Sequence, residues 1–169
     1  MQRRDFLTGS SLVAAAAWTA RSNDVSGEEL PREFYELRVY EMPGGNRKKG
    51  LNDYLSKAAI PAWNRAGIKP VGAFSVVSGA NSQDLFLLLP FSNLESLLAV
   101  PGKLASDAEY QKAAAEYLDA SIEDPAFLRF QSTLLWAFPK VPRLRLPAQT
   151  AENKPRLFEL RTYESHSER

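Results

Sequence analysis

Residues 34–41 read Phe-Tyr-Glu-Leu-Arg-Val-Tyr-Glu, and strict alternation over these positions constrains the chain more than any other feature. Successive side chains of an extended strand point to opposite faces. Tyr35, Leu37 and Val39 therefore share one side, and Glu36, Arg38 and Tyr40 project to the other. The aromatic and β-branched content agrees with a strand.

Beyond this strand the chain alternates between helical and extended patterns. Met42 to Asn46 is a turn, with Asn46 placed to cap the next element. From Arg47 to Ala66, Leu51, Tyr54, Leu55, Ala58 and Ala59 recur at spacings of three and four, which predicts an amphipathic helix. Pro61 should kink it and Gly67 should stop it. Residues 71–78 read as a strand, 79–83 as a loop and 84–91 as a second strand. The apolar run Leu85 to Leu89 predicts a strand buried on both faces. Ser92 should cap a short helix through Val100, interrupted by Pro101-Gly102. The capping-box spacing from Ser106 to Glu109 opens another helical piece to about Ala120. A last strand spans 127–138. The order is β-α-β-β-α-β, so the expected class is α+β: a ferredoxin-like antiparallel sheet with its helices on one face. Leu89-Pro90, Trp136 and Phe138 leave apolar material on both faces. The sheet of a second copy, closing a two-chain barrel, is the simplest cover.

The strand motif recurs. Tyr35 to Glu41 reappears as Phe158-Glu-Leu-Arg-Thr-Tyr-Glu164, with only the first and fifth positions changed. That spacing is too long for a solenoid and predicts a duplicated domain. Residues 139–155 carry four prolines and read as a linker, so 156–169 would be the first strand of an unfinished second copy.

The Phe34–Glu41 motif with its Pro-Gly-Gly turn, the Pro61 helix and the Ser-Thr-Leu-Leu-Trp-Ala-Phe ending of the last strand resemble the NIPSNAP family. The tail from Arg156 to Glu168 resembles the opening of the second domain in its bacterial two-domain members. The resemblance implies a dimeric α+β barrel fold. It carries no catalytic residue set, and this chain lacks nearly all of the second domain.

The N-terminus is read as an address. Arg3-Arg4 with Phe6-Leu7, an apolar stretch from Leu12 to Ala17 and small residues at its end resemble a twin-arginine export signal over 1–22. Residues 23–33 form a polar leader ahead of a domain at 34–138. The expected location is periplasmic or otherwise extracytoplasmic, with no stable membrane span after signal removal, because the apolar stretch is far short of the ~20 residues a span needs. Removing Arg3, Arg4, Arg21 and Asp5 with the signal leaves 18 basic and 19 acidic residues. A near-neutral mature chain offers nucleic acid no bulk attraction.

Composition closes further routes. No Cys means no disulfide, thiolate nucleophile or iron–sulfur cluster. The lone His166 lies in the tail, so the domain has no imidazole for a haem, a metal site or a Ser-His pair. No metal or cofactor is expected. Arg47, Lys48 and Lys49 oppose the dipole of the helix they begin and read as a solvated turn. Trp63, Trp136, Phe74, Phe86 and Phe130 read as core.

The candidate ligand-binding residues are Glu36, Arg38 and Tyr40 on the first strand, with Arg129 and Gln131 on the last. Arg38 could clamp an anionic group and Glu36 could act as a base. The competing structural role is a Glu36–Arg38 ion pair holding the sheet in register. The row Arg129, Gln131 and Thr133 lines either the same cavity or a solvated edge. The expected function is an exported homodimer, pairing through its sheet face, that binds a small apolar or anionic molecule or acts as an interaction module. The alternatives are a cofactor-independent monooxygenase or isomerase, and a truncated fragment of a two-domain protein.

Overall fold

The structure, a computed structural model, describes residues 31–42, 47–79, 82–121, 123, 125–152, 154, 156–161, 164, 166 and 167. The export signal, most of the leader and the Asn46 cap lie outside these residues.

Four strands form one antiparallel sheet: β1 (Phe34–Glu41), β2 (Gly72–Ser75), β3 (Leu85–Phe91) and β4 (Arg129–Trp136). Their spatial order is β2-β3-β1-β4. That order is the product of two split β-α-β units, so the ferredoxin-like α+β arrangement is the one observed. The sheet is open, with β2 and β4 at its edges. β2 and β4 are shorter than their sequence patterns suggest.

The first helical segment divides into α1 (Arg47–Tyr54), a π-helical turn (Leu55–Ala59) and α2 (Ile60–Arg65). Pro61 is the physical cause. It has no N–H for the carbonyl four residues back, and its ring crowds that carbonyl. The wider turn before it takes up the misfit, with the Ile60 N–H bonding to the Leu55 carbonyl. Gly67 ends the segment at φ +91°, where a Cβ is disfavoured.

The second helical layer starts one residue later than expected at each cap. Asn93, rather than Ser92, caps α3 (Leu94–Leu98), its side chain accepting from the Ser96 N–H. Pro101 does not interrupt a helix. It sits in the first turn of α4 (Val100–Ser106), where its missing N–H has no intrahelical use. Asp107, rather than Ser106, caps α5 (Ala108–Leu118) by accepting from the Tyr110 N–H at 2.9 Å. The Ser106 hydroxyl is already donating to the Gly102 and Lys103 carbonyls.

Helices cover β3 and β1 on one face of the sheet, while Phe130, Leu134 and Trp136 of the edge strand β4 stay exposed on that side. Beneath the helices Leu85, Leu87, Leu89 and Phe91 of β3 meet Leu51, Leu55 and Trp63, all buried. Ala58, Ala62 and Ala114 let the π-helical turn, α2 and α5 approach closely. The expectation that β3 is buried on both faces needs correction. Its helix-side residues are buried, whereas Phe86 and Leu88 on the far side are half-buried, because no element of the described chain layers over them.

The segment after β4 folds back to the start of β1. Glu33 accepts from the Ala137 N–H, and its own N–H donates to the Pro142 carbonyl. Its carboxylate accepts from the Leu144 N–H and the Tyr35 hydroxyl. The Arg32 guanidinium lies 3.4 Å above the Trp136 ring. A short 3-10 turn (Ala148–Glu152) leads to the tail.

Candidate functional site

Directly opposed residues of neighbouring strands share a face. On the helix side the register aligns Ser132, Arg38 and Leu87 in one row, and Phe130, Tyr40 and Leu85 in the next. On the open side it aligns Thr133, Leu37, Leu88 and Gly72, then Gln131, Val39, Phe86 and Phe74. A further open-side row holds Leu135, Tyr35 and Pro90.

Five candidate residues are thus divided into two groups. Glu36, Arg38 and Tyr40 lie together between sheet and helices. Arg129 and Gln131 cannot line that space, because their register partners Glu41 and Val39 point to the open face. Arg129 makes a peripheral ion pair with Glu41 at 3.6 Å, and both side chains are exposed.

Arg38 and Glu36 satisfy each other. Nη2 donates to Glu36 Oε2 at 2.9 Å. Nε lies 2.8 Å from Oε1, at ion-pair distance although off the line of a hydrogen bond. The Ser132 hydroxyl donates to the same Oε1 at 2.7 Å. The guanidinium stands 5.1 Å from the Trp63 ring and 5.7 Å from Phe130. Burial works against its charge, but the Glu36 carboxylate outweighs burial and raises its pKa. Tyr40 is buried and its phenol is pushed up by desolvation, with Arg38 opposing. Both carboxylate oxygens of Glu36 are engaged, Oε2 by Arg38 and Oε1 by Ser132.

A tyrosine cluster borders this pair. Tyr54 stacks on Tyr117 with centroids 3.8 Å apart, and its hydroxyl lies 3.0 Å from that of Tyr110. Desolvation raises the pKa of Tyr54 and of Tyr117. Besides Arg38 Nε, two buried polar atoms lack a hydrogen-bond partner here, Trp63 Nε1 and the Tyr117 hydroxyl. Among the described residues, no three acidic or imidazole groups gather at metal-ligating spacing. No described helix is long and apolar enough to cross a membrane.

The domain has counterparts among known proteins in sequence and in overall fold. The NIPSNAP family model matches residues 35–138, more than half of the chain. The chain belongs to the NIPSNAP family. Its fold is similar to an uncharacterized NIPSNAP-like domain protein from Burkholderia xenovorans, at 18% identity and a TM-score of 0.53, over 72% of this chain and 98% of that one. It is also similar to a NIPSNAP family protein of unknown function from Agrobacterium tumefaciens, at 16% identity and a TM-score of 0.50, over 63% and 89%. At such identities the likeness speaks for the fold alone. No curated protein matches the chain.

Within this NIPSNAP domain, sequence reasoning missed Ser132 and the tyrosines. Tyr110 and Tyr117 are seven residues apart on α5, a spacing that puts them on one helix face. That spacing was the available signal. Ser132 is identified only by the register that sets it opposite Arg38.

Proposed function

We propose that this NIPSNAP chain is an exported interaction module that works as a homodimer, pairing through the open face of its sheet. One observation carries it: the apolar surface formed by Leu37, Val39, Phe74, Phe86, Leu88 and Leu135, contributed by all four strands and left without a helical layer. Contiguous apolar surface of this kind marks interaction sites. A second copy is the proposed occupant, because a two-fold axis brings the same patch of each chain together and so covers both apolar faces at once.

Sedimentation equilibrium on the purified protein tests this. A dimer is expected at micromolar concentration, and Phe86→Glu should weaken it by about tenfold or more, since a charge would be buried against the partner. A strictly monomeric protein at every concentration overturns the proposal. Export is supported by Arg3-Arg4 and the apolar stretch behind them. A fused reporter should leave the cytoplasm in wild-type cells and stay inside when the twin-arginine translocase is deleted.

A second reading, a small-molecule site beside Arg38, is favoured by the unpartnered Trp63 Nε1 and Tyr117 hydroxyl. Two donors without acceptors suit a carboxylate or carbonyl on a compact aromatic body. Benzoate is a direct probe by calorimetry, and equal binding to wild type and Tyr117→Phe would sink this site.

A further inference from the structure

The tail is two-sided. Glu159 and Arg161 pair with each other at 2.5 Å across one intervening residue, with both side chains exposed. Glu36 and Arg38 do the same in β1. In an extended segment this leaves Phe158 and Leu160 on the opposite side from the charges. In β1 the corresponding residues are Tyr35 and Leu37, which belong to the open face. The tail therefore carries a short copy of the apolar row that one NIPSNAP chain would present to another.

That copy is already seated. The Phe158 ring meets Phe74 edge to face, with centroids 5.2 Å apart. Phe74 lies opposite Phe86, on the open side of the sheet. Arg156 anchors the start of the segment by donating to Thr150 Oγ1 at 3.1 Å. Leu157 and Leu160 remain largely exposed and Phe158 itself is 61% exposed, so the segment touches only the β2 end of the face through one side of its ring.

We propose that the segment 156–161 is a built-in competitor for the open face, in which Phe158 occupies on Phe74 the place that a second copy would take. This rests on the homodimer proposed above and adds its regulation. The self-neutralised Glu159–Arg161 pair suits the role, because it keeps the outer side of the segment in water and leaves only the apolar side to dock.

Phe158→Glu tests the competition, with Phe86→Glu as reference. By the usual strength of an aromatic pair, sedimentation equilibrium should show the Phe158→Glu dimer tighter than wild type by about threefold to tenfold. An unchanged dissociation constant overturns the competitor. A weaker Phe158→Glu dimer also overturns it, since the segment would then belong to the interface. If neither protein dimerises, the homodimer fails and the competition fails with it. The cover itself is read independently by a nuclear Overhauser contact between the Phe74 and Phe158 rings in isotope-diluted protein. An intrachain contact supports the seat, and its absence or an interchain contact removes it, whatever the dimer does.

Discussion

Arg38 is held by the Glu36 carboxylate, one oxygen of which a hydroxyl braces, and by two aromatic rings, and this decides how the site responds to substitution. Removing one partner of a largely buried ion pair costs more than removing both, because the remaining charge is left without compensation. Glu36→Gln should destabilise the fold by about 2–4 kcal/mol in urea titrations, whereas Glu36→Leu combined with Arg38→Met should cost less than the single change. The reverse order would show that packing, and not the leftover charge, sets the cost. The phenols report at high pH. Burial, with the Glu33 carboxylate, pushes Tyr35 up to about 12, and burial also raises Tyr40, Tyr54 and Tyr117. Each favours the folded state fully below the unfolded phenol value near 10. Between that value and the raised native one, the unfolded chain loses protons that the native chain keeps. Stability should therefore fall as pH climbs above about 10, and absorbance at 295 nm should show these four ionising late or together with unfolding. Ordinary titration of all of them in folded protein would contradict the cluster's burial.

The elements show which parts of the fold were legible in the sequence. Alternation located β1 to the residue and the apolar run Leu85 to Leu89 located β3 to within one, because both patterns belong to the strand itself. Pro61 marked the bend of the first helical segment, although its form, a π-helical turn, depends on neighbours that must stay packed on the sheet. The caps were each displaced by one residue, since Ser106 and Asp107 compete for the same helix start and the losing hydroxyl finds carbonyls of α4 instead. Asp107→Ala should accordingly destabilise by about 1–2 kcal/mol, since it also loses the Arg65 ion pair at 2.8 Å, while Ser106→Ala stays within about 0.5 kcal/mol. Thermal or urea unfolding of both variants checks the ordering. Arg129 and Gln131 could not be placed from the sequence for a different reason. The alternation of β4 is visible, but which half faces the helices is fixed only by pairing with β1.

On the scale of the molecule, the two faces of one sheet divide the work. Helices, the ion pair and the tyrosines occupy one side, and an apolar surface with a seated tail occupies the other. If two copies meet there, their association should respond weakly to salt, because the centre of the face is built of Leu37, Val39, Phe86 and Leu88 and the Glu41–Arg129 pair lies at its edge. Raising ionic strength from 50 to 500 mM should change the dissociation constant by less than about threefold, and a steep salt dependence would move the interface elsewhere. β1 lies at the centre of this division, paired on both edges and contributing to both faces. A slip of one residue in its pairing would exchange the faces. Glu36 and Arg38 would then stand on the face proposed for docking, and Leu37 and Val39 would be wasted beneath the helices. A chain that misaligned its central strand would thus lose the proposed partner by the same error that ruins its core, so folding would itself screen which molecules are fit to associate.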